Sequence, residues 1–141
     1  MAGEQPVTIV IADDHQIYLD SIHCVLSEHG FRIVGAALDG REAVRLCVDL
    51  HPDVAILDIS MPELNGIEAA REIAKLHPRT EIVILSMHTD ISYVVESLRA
   101  GVHAYVAKSK AAGCLIEAIG TARSGGTFVI VPPALADCWM Q

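Results

Sequence analysis

The fold is best predicted from Ile9-Val10-Ile11-Ala12-Asp13-Asp14, an apolar run that ends in two adjacent acids. A second run of the same kind, Val54-Ala55-Ile56-Leu57, ends in Asp58. Short apolar, β-branched runs are typical of strands that lie in a parallel sheet with both faces covered. Because the carboxyl ends of parallel strands line one edge of such a sheet, we expect the three aspartates to lie close together.

Two further predicted strands also stop at a polar residue. Residues 81–85 are followed by Ser86, and residues 104–107 are followed by Lys108. Lysine is rarely buried unless it is paired, and the three aspartates are its evident partners. On chemical grounds alone, Ser86 could equally be an ordinary hydroxyl at the end of a strand. We expect the hydroxyl and the ammonium to lie at the same edge as the carboxylates.

This set of side chains predicts phosphoryl chemistry. Crowded carboxylates raise one another's pKa unless a cation screens them, and a hard divalent ion such as Mg²⁺ is the natural screen. One carboxylate would remain to act as a nucleophile. The simpler alternatives are that Asp13-Asp14 are helix N-terminal acids and that Asp58 is a turn residue. We favour the metal site because two acids directly follow one strand and a third follows another.

The order of elements predicts the fold class. Short β-prone runs alternate with longer amphipathic segments, which indicates βαβ units. Right-handed crossovers then give an α/β, doubly wound (βα)5, flavodoxin-like parallel sheet with strand order 2-1-3-4-5. Asp39 is expected to cap the second helix. The predicted strands are 7–12, 31–37, 53–57, 81–86 and 104–107, the predicted helices are 16–28, 41–50, 65–76, 91–100 and 111–123, and 127–131 is a further short β-prone piece.

Composition narrows the class of protein. With 141 residues the chain fits one domain, and its net charge of −8 argues against nucleic-acid binding by this segment. Cys24, Cys47 and Cys114 fall in helical patterns and are predicted to be small buried hydrophobes. No signal peptide and no apolar run of membrane-spanning length is apparent. We therefore expect a cytoplasmic protein without a membrane partner.

The whole pattern resembles the receiver domain of two-component response regulators. The resemblance covers about residues 6–125, and its motifs are specific in residue type and spacing. The stretches Ile-Ala-Asp-Asp-His (11–15), Leu-Ser-Met-His (85–88) and Ala-Gly-Val-His-Ala-Tyr (100–105) look most like receivers that precede a LuxR-type helix-turn-helix. The residues that carry the resemblance to the receiver domain are Asp13-Asp14, Asp58, Met61-Pro62, Gly66, Ser86 and residues 104–108.

The resemblance implies a role for each site residue. Asp58 would be the phosphoacceptor, and Asp14, Asp58 and the carbonyl of Ser60 would bind Mg²⁺ directly, with Asp13 acting mainly through water. Lys108 would pair with the phosphoryl oxygens, Ser86 would be the switch hydroxyl, and Tyr105 would be the aromatic switch residue. Tyr105 could otherwise be a half-exposed packing residue of its strand. The sequence departs from the common pattern in having serine rather than threonine at 86 and serine rather than proline at 109.

The function that this implies is a phosphorylation-activated switch. A sensor histidine kinase would supply the phosphoryl group, and a homodimer would form on phosphorylation. Enzymatic activity would be limited to Mg²⁺-dependent self-phosphorylation and slow autodephosphorylation. Residues 126–141 would be a C-terminal extension or the start of a linker to a missing output domain, and DNA would be bound only through that domain.

Two other classes share part of the pattern. Haloacid dehalogenase phosphatases also use an aspartyl phosphate, but they place a second acid two residues after the nucleophile, where this chain has Ser60. A flavodoxin-like electron carrier would share the fold, but it has no need of Asp13-Asp14 or Lys108.

Overall fold

The computed structural model describes residues 5–132, and the elements alternate along the chain as expected. Observed and predicted bounds agree to within one residue at either end. The strands are β1 (Thr8–Ala12), β2 (Arg32–Ala37), β3 (Val54–Leu57), β4 (Glu81–Ser86), β5 (Ala104–Ala107) and β6 (Phe128–Ile130). The helices are α1 (Gln16–Glu28), α2 (Gly40–Leu50), α3 (Gly66–Leu76), α4 (Ile91–Arg99) and α5 (Ala111–Arg123), and a short 3₁₀ turn covers Lys108–Lys110.

The strands form one fully parallel sheet in the order β2-β1-β3-β4-β5-β6. The predicted order of the first five strands is confirmed, and so is the fold class. The β-prone piece after α5 adds a sixth strand, which pairs with β5 at the edge of the sheet. The chain reverses its direction of travel across the sheet between β1 and β3, which is where ligands bind in doubly wound folds.

Two apolar layers hold the helices against the sheet. Strand residues point alternately to the two faces, so Ile9 and Ile11 of β1 pack on α1 and α5, whereas Val10 and Ala12 pack on α2, α3 and α4. All four of these side chains are buried. A rigid, two-sided core of this kind fixes the strand ends from which the polar side chains project.

One prediction about the helices is confirmed and one is wrong. The Asp39 side chain accepts a hydrogen bond from the Glu42 N–H at 2.8 Å and caps α2. Cys47 is buried as predicted and Cys114 is only partly buried, but Cys24 is exposed. The buried residues of α1 are Leu19, Ile22 and Leu26, and the helical period puts Cys24 on the opposite side from that stripe.

The C-terminal extension expected at residues 126–141 begins with β6, and its residues 133–141 lie outside the described part of the chain. Among residues 5–132, no helix has both the length and the apolar character that crossing a bilayer requires.

Candidate functional site

The carboxyl edge of the sheet brings the predicted acids together. The Asp13 N–H donates to the Ala37 carbonyl at 3.0 Å, and the Asp58 N–H donates to the Ala12 carbonyl at 2.9 Å. These bonds extend the strand pairing by one residue beyond β1 and β3 and fix both backbones. Asp13 and Asp58 are buried, with 3% and 5% of their surface exposed.

Lys108 reaches this pair from the end of β5. Its Nζ donates to Asp13 Oδ2 at 2.6 Å and lies 3.5 Å from Asp58 Oδ2, and 9% of its side chain is exposed. Asp14 does not contact Lys108, and its Oδ1 lies 3.0 Å from the His15 Nδ1. The expected pairing of Lys108 with three aspartates is therefore found for two of them.

The surroundings of the Asp58 carboxyl disfavour its ionised form. Its Oδ1 accepts a hydrogen bond from the Ile59 N–H at 2.8 Å. Burial raises the pKa of Asp58 above its ordinary value, and the Asp13 charge adds to this, although the Lys108 ammonium and the Ile59 hydrogen bond oppose it. The negative charge of an ionised Asp58 is therefore only partly balanced by its neighbours, and added positive charge would stabilise it.

The loop after β3 has a fixed shape. The Gly66 N–H donates to the Ile59 carbonyl at 2.9 Å, and Asn65 caps α3 by accepting from the Glu68 N–H. A Cβ on Gly66 would lie 1.9 Å from the Asp58 carbonyl oxygen. Glycine at 66 therefore allows the backbone of α3 to approach the backbone of Asp58 closely.

Ser86 and Tyr105 lie on one side of the acidic pair, and both are fully buried. The Tyr105 hydroxyl donates to the His88 carbonyl at 2.7 Å, and the His88 N–H donates to Ser86 Oγ at 3.0 Å. Burial is the main reason that the pKa of Tyr105 is raised to about 12. The alternative of a half-exposed packing residue at Tyr105 is therefore wrong.

His88 connects more of this region than its sequence position suggested. Its Nε2 lies 2.7 Å from Ser60 Oγ, and its ring stacks on Tyr93 of α4 with the centroids 4.2 Å apart. No spacing rule singles out His88, because its contacts join loops that are distant in sequence. The only available signal was its place two residues after Ser86.

Tyr18 is a residue of the site that sequence reasoning missed. It lies on α1, partly buried, and the Lys108 Nζ is 4.2 Å from the centroid of its ring. Burial, followed by the charges of Asp13 and Asp58, raises the pKa of Tyr18 to about 12. Its place on α1, beside the buried stripe, gave no signal of a contact with Lys108.

The donor set suits a hard divalent cation. One ligand atom from each of Asp13, Asp14 and His15 lies within 4.8 Å of the others. Asp58 stands beside this group, since Lys108 contacts both Asp13 and Asp58. Carboxylate oxygens are the ligands that Mg²⁺ prefers, and the deficit of positive charge at Asp58 gives such an ion something to neutralise.

Comparison with known proteins agrees with this geometry. The sequence pattern described as the response regulator receiver domain matches residues 9–120. The chain is 38% identical over 128 residues to the transcriptional regulatory protein DegU of Brevibacillus brevis, covering 90% of this chain and 54% of that protein. A LuxR-family two-component response regulator from Aurantimonas sp. SI85-9A1 superposes with a TM-score of 0.85 at 29% identity, covering 94% of each chain.

A third similar structure is the isolated receiver domain of RcsB from Salmonella enterica serovar Typhimurium in the presence of the phosphomimetic BeF₃⁻. It has a TM-score of 0.81 and 26% identity, covering 89% of this chain and 94% of that one. The chain belongs to the response regulator receiver domain family. Its relatives include regulators of the LuxR, NarL and DegU type, and it spans about half the length of the curated relatives that it matches.

Proposed function

We propose that this receiver domain accepts a phosphoryl group on Asp58 from a partner histidine kinase and thereby changes its interaction surface. The observation that carries the proposal is the buried trio of Asp13, Asp58 and Lys108. Lys108 is bonded to Asp13 at 2.6 Å and stands 3.5 Å from Asp58. Because the Lys108 ammonium lies near Asp58 without a short hydrogen bond to it, the ammonium can bind a phosphoryl group that becomes attached to the Asp58 carboxylate.

The site residues would divide the binding of cation and phosphoryl group between them. Asp14, Asp58 and the carbonyl of Ser60 would hold a Mg²⁺ ion directly, with Asp13 acting mainly through water. When bound, Mg²⁺ supplies the positive charge that lets an anionic donor approach the carboxylates. Asp14 is the most accessible of the three acids, which suits a ligand that an ion reaches from solvent.

The transfer itself is a displacement at phosphorus. A carboxylate oxygen of Asp58 forms a bond to phosphorus as the bond to the donor's leaving atom breaks, and the leaving group departs with the electron pair. Lys108 neutralises charge on the phosphoryl oxygens, and the Ser86 hydroxyl donates a hydrogen bond to one of them. Water attack at the same phosphorus would release phosphate slowly and reset Asp58.

The switch would run through Ser86 and Tyr105. The Tyr105 ring is buried, and its hydroxyl donates to the His88 carbonyl. We propose that the phosphoryl group on Asp58 stabilises this inward position of the ring. Drawing the Ser86 hydroxyl toward phosphate would alter its bond to the His88 N–H, and so bias the loop that leads into α4.

The output of the switch is proposed from the relatives. Their descriptions as transcriptional regulatory and DNA-binding proteins support control of transcription through residues outside the receiver at about 6–125. Residues 126–141 would lead toward them. The switch would operate in the cytoplasm. The charge of −8 gives the receiver no electrostatic footprint for DNA, so its own contribution would be self-association on phosphorylation.

The test is labelling with a small phosphodonor. The full chain is incubated with acetyl phosphate and Mg²⁺ and its intact mass is followed, and EDTA should prevent the gain of one phosphoryl group. Asp58→Asn should abolish the label, whereas Asp49→Asn, at an exposed acid on α2, should leave it unchanged. Full labelling of Asp58→Asn would refute the assignment of the acceptor.

A further inference from the structure

Tyr18 packs against the apolar layer under α1, and its ring also meets the Lys108 ammonium. The buried stripe of α1 is formed by Leu19, Ile22 and Leu26, and Tyr18 lies beside it, only partly buried. A leucine at 18 would cover the same apolar surface. What an aliphatic side chain would not supply is an aromatic face 4.2 Å from the Lys108 Nζ.

The surroundings of the ammonium explain why such a face matters. Lys108 Nζ donates to Asp13 on one side and lies 3.5 Å from Asp58, and 9% of the side chain is exposed. Asp13 holds Nζ more closely than Asp58 does. The Tyr18 ring therefore limits the positions that Nζ can take and replaces part of the hydration that burial removes from it.

The ring also keeps the character that this contact needs. Its pKa of about 12 leaves the phenol protonated at neutral pH, so the ring presents a π face and no negative charge of its own. The same side chain borders a groove between α1 and α5, which is also lined by Lys108, Ala111 and Leu115. Tyr18 and Lys108 thus lie side by side at the border of this groove.

We propose that Tyr18 is a positioning residue for phosphoryl transfer, whose ring holds the Lys108 ammonium where it meets the oxygens of the group that joins Asp58. This inference rests on the proposed function of Asp58 and Lys108. It assigns Tyr18 no chemical step: the bond from Asp58 to phosphorus forms, and the bond to the donor breaks, with Tyr18 acting only through Lys108.

The first experiment compares Tyr18→Phe with Tyr18→Leu in the full chain. Phenylalanine retains the aromatic face, and leucine removes it at similar apolar surface. With acetyl phosphate and Mg²⁺, the initial rate of labelling should be close to wild type for Tyr18→Phe and about two- to thirty-fold lower for Tyr18→Leu, the range that corresponds to typical cation–π contacts. Tyr18→Met gives the same test if leucine prevents folding.

The second experiment asks whether the effect passes through the ammonium. Urea unfolding of the four combinations of Tyr18→Phe or Tyr18→Leu with Lys108 or Lys108→Met forms a double-mutant cycle. The stability of Tyr18→Phe relative to Tyr18→Leu should be greater when Lys108 is present than in the Lys108→Met background. A Phe-to-Leu difference of the same size in both backgrounds would show ordinary packing and overturn the proposal.

The outcomes separate this inference from the function on which it rests. Wild-type chain that gains no phosphoryl group would refute the function of Asp58, and with it any role of Tyr18 in transfer. Wild-type chain that is labelled at Asp58, with equal rates for Tyr18→Phe and Tyr18→Leu, would overturn the role of Tyr18 alone.

Discussion

Replacing Gly66 by alanine should lower both the stability of the domain and the rate of labelling at Asp58, although Gly66 has no side chain in the site. The glycine begins α3, and its backbone lies against the loop that carries Asp58. An added Cβ would be 1.9 Å from the Asp58 carbonyl oxygen and 2.9 Å from the Ile59 Cα. Both obstacles are backbone atoms of a loop that follows a central, buried strand, so no flexible side chain can move aside.

The size of the effect follows from this distance. Real Cβ atoms essentially never approach other atoms within 3.0 Å, so Gly66 and Asp58 must separate by about 1 Å. Forcing extra volume into a packed region costs about 1–3 kcal/mol. For a chain of this size that lowers the melting temperature by roughly 3–10 °C. A misplacement of about 1 Å in a reacting group can lower a rate by about 100-fold.

The assay combines thermal unfolding with the rate of labelling by acetyl phosphate. Gly120→Ala is the matched control, because a Cβ on Gly120 meets nothing within 4 Å. Gly120 lies inside α5, where alanine is the better helix former by about 1 kcal/mol. The control should therefore raise the melting temperature, whereas Gly66→Ala lowers it, and the control should leave the labelling rate unchanged.

A Gly66→Ala chain that melts with wild type and is labelled at a similar rate would refute the reasoning. That result would mean that the loop between β3 and α3 moves by 1 Å at no cost. Loss of stability with an unchanged labelling rate would refute the geometric link between Gly66 and Asp58 alone.

Three further results are expected. Burial raises the folded-state pKa of Asp58 above 3.8, so ionisation of Asp58 opposes folding and stability falls as pH rises through the folded pKa. In EDTA, Asp58→Asn should therefore have a higher melting temperature than wild type at pH 7, and this difference should close below about pH 4. A difference that does not change with pH would contradict this. Iodoacetamide at pH 8 should modify exposed Cys24 and spare Cys47, whose pKa burial raises to about 12, as peptide mapping would reveal. Beryllofluoride with Mg²⁺ should change hydrogen exchange within residues 91–105, and no change there would place the response on another surface.

Much of the fold could be predicted because local patterns and their order agree. The apolar runs of β1 and β3 identify buried parallel strands, and the rule for strand ends then brings Asp13 and Asp58 together without any knowledge of tertiary contacts. The start of α2 could also be predicted from the sequence, because Asp39 and the residues after it form a recognisable N-terminal cap. These inferences need only residue type and spacing.

The contacts that could not be predicted depend on side-chain direction between distant elements. Tyr18 meets Lys108 across a helix and a strand end, and no periodicity encodes the angle at which α1 crosses the sheet. His88 reaches Ser60 and Tyr93 through its ring and Tyr105 through its backbone. Cys24 was mispredicted because its apolar character was given more weight than its place on the helical wheel.

The sixth strand determines which border of the sheet is open to other chains. Residues 104–106 of β5 are aligned with residues 128–130 of β6, with Tyr105 opposite Val129. The backbone groups that β5 would turn outward are thus already engaged, and a foreign strand could not be added beside Tyr105 without first stripping β6 away. A three-residue border strand offers little template for such addition, which protects the sheet from edge-to-edge aggregation on this side.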